Sequence, residues 1–189
     1  MNHQGTRLLE SKRLILRRFE LQDAQAMFVN WASDPQVTKF LRWQAHACVD
    51  VSRAILSDWV GRYHQPDFYL WAIVPRDLGE PIGSISVVGH DDHIQMAHIG
   101  YAIGRSWWHQ GLTSEALSTV LSYLFREVHV NRVESRHDPQ NPHSGGVMRK
   151  CGLQYEGTHR QADWNQQGIC DAACYAILAE DYKRPLSRT

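Results

Sequence analysis

The stretch Gly104-Arg105-Ser106-Trp107-Trp108-His109-Gln110-Gly111-Leu112-Thr113-Ser114-Glu115 lies between an apolar run ending at Ile103 and the most regular apolar stripe of the chain. Glycine and small residues at a strand-to-helix handover leave the first-turn N–H groups of the helix unpaired and pointing outward. Several such donors, together with the positive end of the helix macrodipole, can hold an anion, and a pyrophosphate suits the site. The Gly-Lys-Ser/Thr of a Walker A loop is absent, and so are the three spaced glycines of a dinucleotide fingerprint. On its own, a glycine before a helix also reads as an ordinary turn. Elsewhere, His90-Asp91-Asp92-His93 carries ligand-type side chains without a spaced second pair, so no metal is expected. Cys170 and Cys174 share one face of a strand and read as ordinary strand residues.

These residues are positioned by an alternation of strands and helices. Arg13 to Phe19 alternates as a strand, Asp23 caps a helix carrying Ala26, Met27 and Trp31, and Pro35 ends that helix near Ser33-Asp34. Val51, Ile55 and Trp59 mark a second helix over Val49 to Tyr63. Phe68 to Pro75, Ile82 to His90 and Met96 to Ile103 form three antiparallel neighbours. Ala116, Leu117, Val120, Leu121, Leu124, Phe125 and Val128 give the long helix its core stripe. Arg132 to His137, a short helix over Pro142 to Lys150, and strands at Leu153 to Arg160 and Asp171 to Leu178 complete the order β-α-α-β-β-β-α-β-α-β-β, a mixed α/β domain.

Within that order, Ile99-Gly100-Tyr101 precedes the glycine turn, Asn141-Pro142-His143-Ser144 opens the short helix, Cys151-Gly152-Leu153 closes it, and Tyr155-Glu156-Gly157 follows. The spacing of these blocks from Leu14 to Tyr182 resembles the GCN5-related N-acetyltransferase (GNAT) superfamily, in its branch of bacterial ribosomal-protein N-terminal acetyltransferases, which are RimJ/RimL-like. The resemblance implies a single domain spanning residues 1–189, with a core at about 12–182. Its α/β fold would have a mixed, mostly antiparallel central sheet with splayed strands, flanked by helices.

The resemblance implies acetyl-CoA as cosubstrate. Backbone at His109, Gln110, Gly111, Leu112, Thr113 and Ser114 would bind its pyrophosphate, and Tyr101, Ala102, Ile103 and Asn141 its pantetheine. Trp108 stands first and Thr113 last in the family's loop motif, and His109 takes the place of a usual glycine. Ser144 would protonate the departing thiolate, although Asn141 and Ser144 also suit helix capping. Relatives carry Ala-Glu-Ile-Gly-Tyr where this chain reads Ala97-His98-Ile99-Gly100-Tyr101. An imidazole with pKa near 6.5 can serve as the base, so His98 keeps that role or is a half-buried strand residue with a satisfied hydrogen bond. Glu134 is the alternative base. Trp31, Trp43 and Trp71, with Phe40, His46 and Tyr69, are acceptor-groove candidates, and Arg105, Arg149 and Lys150 are candidate phosphate cations.

Direct transfer needs a neutral amine. At pH 7 an α-amine of pKa near 8 costs about 1.4 kcal/mol to deprotonate, whereas lysine costs about 4.6. That difference is compatible with a protein N-terminal α-amine, the acceptor that the resemblance implies. A small amine such as an aminoglycoside, polyamine or amino-acid derivative is the alternative, and a non-catalytic acyl-CoA sensor the reading from another class. Twenty basic and twenty acidic residues give a formal charge of zero, which disfavours nucleic acid as a partner. Without an apolar run of signal-peptide or membrane length, a soluble cytoplasmic protein is expected, as monomer or homodimer. The eleven histidines scatter along the chain and do not cluster by spacing.

Overall fold

The computed structural model describes residues 1–183. In chain order they form β1 (Leu9–Glu10), β2 (Leu14–Arg17), α1 (Ala24–Met27, continued by a wide turn to Ala32), α2 (Pro35–Thr38), α3 (Val49–Arg62), β3 (Leu70–Pro75), β4 (Gly83–Asp91), β5 (Met96–Ile103), α4 (Leu112–Tyr123, continued to Val128), β6 (Arg132–His137), α5 (Pro142–Lys150), β7 (Gln154–Asn165), β8 (Gly168–Leu178) and α6 (Ala179–Lys183). All eight strands belong to one sheet of order β1-β2-β3-β4-β5-β6-β8-β7. Every pairing is antiparallel except β5 with β6, which is parallel. Among the described residues no helix is long and apolar enough to cross a membrane.

The sheet is covered on both faces, which is why β3 is buried at all six positions while its neighbour β4 alternates. One core joins Trp71, Ile73, Ile85 and Ile99 to the α4 stripe of Leu117, Val120 and Leu121. The other joins Leu70, Ala72 and Val74 to Phe19, Met27, Trp31 and Leu56 of the first helices. Three acceptor-groove candidates are consumed here: Trp31 is 1%, Tyr69 2% and Trp71 0% exposed, so none presents a face to a ligand. Trp71 also donates its indole N–H to the Arg7 carbonyl at 2.7 Å. Large aromatic rings facing a sheet interior are drawn into the core by the area they bury. Trp43 packs against the second core and on the ring of His46, at 5.3 Å.

Pro35 ends the first helix as its backbone restriction predicts, and then serves as the first residue of α2, with the Asp34 carboxylate accepting from the Gln36 amide at 2.8 Å. The last hairpin is longer than its sequence pattern suggests. After an irregularity at His159–Asp163, where Gln161 takes φ +52°, pairing resumes with Asp163 opposite Cys170. Much of β7 is exposed, so it lacks the apolar alternation that marks a half-buried strand.

Candidate active site

The glycine turn opens α4 as its composition requires. Gly111 caps the helix in the left-handed region at φ +75°, leaving the Leu112, Thr113 and Ser114 amides without carbonyl partners inside the helix. His109, at the usual glycine position, also adopts a left-handed φ of +60°, and its ring meets His143 edge-on at 4.8 Å. Such a conformation costs a non-glycine residue about 1 kcal/mol. The loop is anchored from several sides. The Trp108 indole donates to the Ile103 carbonyl at 2.9 Å, and the Arg13 guanidinium to the Gln110 carbonyl at 3.0 Å. Glu115, in the first turn of α4, accepts from the Arg13 amide and the Ser11 hydroxyl, both at 2.8 Å, and from the Arg13 side chain at 2.7 Å. Burial pushes its carboxyl up, but these donors prevail and hold it below the usual glutamate range.

Two cations converge on the turn. A methyl placed on Gly111 would lie 3.4 Å from Lys150 Nζ and 3.8 Å from an Arg13 guanidinium nitrogen. Lys150 is thus the phosphate candidate that the fold brings to the loop, joined by Arg13, whose position at the start of a strand gave no such signal. Arg149 instead donates to the Tyr175 hydroxyl at 2.8 Å, and Arg105 pairs with Asp34 at 3.1 Å.

Beside the turn the sheet opens. The β5–β6 ladder runs only from Met96–Arg132 to His98–Glu134; the Ser135 hydroxyl then donates to the Ile99 carbonyl at 2.8 Å, and the strands part. The edge from Gly100 to Ile103 therefore faces a gap, and α5 closes its far side. A cavity of 390 Å³ fills this space, lined by Tyr101, Ala102 and Ile103, by His109, Gly111, Thr113 and Ser114 of the turn, and by Asn141, Ser144 and Lys150. Gln110 and Leu112 line a separate depression rather than this cavity. At the centre, the Tyr101 hydroxyl donates to the Ser144 carbonyl at 3.0 Å and lies 3.1 Å from Ser144 Oγ. Burial raises the Tyr101 phenol well above its ordinary pKa, so it stays protonated. Asn141 occupies the N-cap position of α5 but makes no side-chain cap bond, which leaves its amide free to meet a ligand.

A second cavity, of 300 Å³, shares Tyr101, Asn141 and Ser144 with the first and is also lined by His98, Arg42, Arg136, Asp163 and Trp164. His98 lies 3.5 Å from Glu134 through Nδ1. Burial, and then the nearby Arg136 guanidinium, lower its pKa against the opposing pull of Glu134, so the ring is neutral at pH 7. Asp163 is clamped by Arg42 Nε and Arg136 Nε, both at 2.9 Å. This clamp ties the loop after α2 to the β6 strand and the final hairpin. Burial raises the Asp163 carboxyl, but the Trp164 amide and the two guanidinium groups outweigh it and keep the group ionised. Sequence reasoning missed this clamp because its members lie far apart in the chain. Phe40 and Trp164 are the aromatic residues that line this cavity beside Tyr101, whereas Trp31, Trp43 and Trp71 do not.

Residues 13–154 match the family model described as an acetyltransferase (GNAT) domain. The chain is 30% identical over 171 residues to the uncharacterized N-acetyltransferase YoaA of Bacillus subtilis, covering 90% of this chain and 96% of the relative. It is 27% identical over 159 residues to the ribosomal protein uS5-alanine N-acetyltransferase of Escherichia coli, covering 79% of each. Among solved structures, a GNAT-family acetyltransferase from Bacillus anthracis superimposes with a TM-score of 0.81 at 24% identity, over 92% of this chain and 99% of that one. RimL, a ribosomal L7/L12 α-N-protein acetyltransferase solved with coenzyme A, gives 0.79 at 20% identity, over 91% and 98%. Both structural likenesses are likenesses of fold.

Proposed function

The chain belongs to the GNAT acetyltransferase family, and from that premise we propose that it transfers the acetyl group of acetyl-CoA directly to a protein N-terminal α-amine. The observation that carries this reading is the Tyr101–Ser144 pair, which lines both cavities where the sheet opens. The first cavity takes the donor, with its pyrophosphate on the α4 amides and near Lys150 and Arg13. The second takes the acceptor.

His98, neutral at pH 7, accepts a proton from the incoming ammonium. The free amine then bonds to the thioester carbonyl carbon. As the carbon–sulfur bond breaks, Ser144 gives its hydroxyl proton to the thiolate and takes back the second proton released by the attacking nitrogen. The products are the amide, a free thiol and a proton left on His98. The α-amine is favoured over a lysine side chain by about 3 kcal/mol of deprotonation cost at neutral pH. The names of the E. coli relative and of RimL agree with a ribosomal-protein amine.

A screen of N-terminal peptides and small amines with acetyl-CoA, followed by thiol release and product mass, tests the reading. Turnover of peptides carrying a free α-amine, without turnover of polyamines, aminoglycosides or amino-acid derivatives, is expected. Turnover confined to small amines overturns the acceptor assignment. Acetyl-CoA binding with no transfer to any acceptor overturns the catalytic one.

A further inference from the structure

We propose that His3, His90 and Asp92 form a surface site for a divalent metal ion of the zinc class, which ties the amino-terminal segment to the turn between β4 and β5. His90 and Asp92 are two residues apart where β4 runs into its turn, and the sequence around them offers no spaced second pair. The fold supplies the missing ligand from the other end of the domain. The Asn2 amide donates to the Val128 carbonyl at 2.8 Å and the Gly5 amide to the Pro66 carbonyl at 2.6 Å. Between these two anchors, His3 is laid against the turn.

The His3 ring is already oriented as a ligand. Its Nδ1 lies 3.0 Å from the Tyr69 hydroxyl, and its Nε2 lies 3.0 and 3.3 Å from the two Asp92 oxygens. Tyr69 is buried, and its hydroxyl oxygen accepts from the Gln4 amide at 3.2 Å, so it is placed to accept from an Nδ1–H of His3 as well. With a cation between Nε2 and Asp92 in place of their hydrogen bond, that tautomer turns the Nε2 lone pair to the side facing Asp92 and His90. A hydrogen bond to the non-ligating imidazole nitrogen is the usual way a protein fixes a metal-binding histidine. The His90 ring stands 5.0 Å from the His3 ring, and one ligand atom from each of the three residues falls within 4.8 Å of the others.

Zinc bonds of about 2.0–2.2 Å set tetrahedral ligand atoms roughly 3.3–3.5 Å apart. The His3–Asp92 separation is already close to this, and His90 and Asp92 are exposed and free to close the remainder. Two imidazoles and one carboxylate select zinc or a neighbouring transition metal over magnesium or calcium, with water completing the shell. None of the three lines either cavity of the acetyl-transfer site, so the ion would act on the position of the amino-terminal segment.

The test titrates Zn2+ into tag-free, chelator-stripped protein against a chromogenic zinc indicator. One ion per chain is expected, with His3→Ala and Asp92→Asn each weakening binding about tenfold or more. His93→Ala, in the same turn but outside the cluster, should bind as the wild type does. Co2+ should give the visible bands of tetrahedral coordination, and Zn2+ should slow amide exchange at residues 2–5. Circular dichroism checks that the variants are folded. The proposal fails if the wild type takes up no Zn2+, or if folded His3→Ala and Asp92→Asn bind it unchanged. Loss with His93→Ala but not with His3→Ala would place binding in the turn alone and also overturn it.

Discussion

Tyr101 on β5 and Ser144 on α5 meet through their hydroxyl oxygens at 3.1 Å, across a gap that no backbone ladder spans. Because the Tyr101 proton is engaged by the Ser144 carbonyl, its oxygen can accept from Ser144 Oγ–H and hold that hydroxyl in place. Ser144→Ala should lower kcat about 100-fold, the lower end of what a positioned proton donor contributes. The KM for acetyl-CoA should stay within about twofold, because a group used only in the transition state leaves ground-state binding alone. Tyr101→Phe keeps the ring and loses the brace, so a smaller fall in kcat is expected. A Ser144→Ala enzyme with unchanged kcat would remove this hydroxyl from the reaction.

As the proposed base, His98 should set the acid side of the rate profile. Its pKa lies below 6.5, chiefly through burial, so wild-type kcat at saturating substrates should hold through neutrality and fall as the ring protonates at lower pH. His98→Ala should lose that limb and retain acetyl-CoA affinity. Stability follows the same proton. Where the folded pKa is depressed, the unfolded chain binds more protons, so stability rises with pH between the folded value and about 6.5. Thermal melts should therefore show a steeper pH dependence in the wild type than in His98→Ala over that interval. Superimposable kcat profiles for the two proteins would make His98 a strand residue only.

The elements were legible because each carries its own period: the α4 stripe at helical spacing, the inner strands by their apolar runs, and Pro35 and Gly111 by backbone restriction. The turn was legible from its composition, whereas Tyr101 and Ser144 were expected from the family resemblance; all three line one cavity. Pairings between distant segments were not legible. Arg13 reaches Gln110, and Arg42 reaches Asp163, through tertiary placement that no local pattern encodes. Trp31 and Trp71 went to the core for another reason: aromatic type signals buried area as readily as a groove, and a place on the first helix or on β3 facing the core decided it.

Gly111 and His109 share the left-handed region, yet they should respond differently to substitution. A methyl on Gly111 adds strain at φ +75° and comes within 3.4 Å of the Lys150 ammonium at the mouth of the phosphate loop. Gly111→Ala should raise the KM for acetyl-CoA about tenfold and cost about 1–2 kcal/mol of stability. His109→Gly removes strain while leaving the loop amides in place, so its KM should stay within about twofold of the wild type. Isothermal titration with CoA and thermal melts separate the two effects. Equal losses of affinity would point instead to the His109 ring as a direct contact.

His137 and Gly145 set the seat of α5. The His137 Nδ1 lies 2.8 Å from the Asp138 carbonyl, and its Nε2 is buried without a partner. A methyl on Gly145 would approach that nitrogen to 2.5 Å, closer than real contacts allow. Gly145→Ala should therefore displace the helix that carries Asn141 and Ser144, at an overpacking cost of about 1–3 kcal/mol despite the higher helix propensity of alanine. In a domain of this size that is a fall of several degrees in Tm, about 2–4 °C for each kcal/mol. The drop in kcat should accompany it, since Ser144 lies one residue away. Adding His137→Ala to Gly145→Ala makes room for the methyl and should restore both Tm and kcat in part. A double variant no better than Gly145→Ala alone would show that the contact with His137 is not what excludes a side chain at this position.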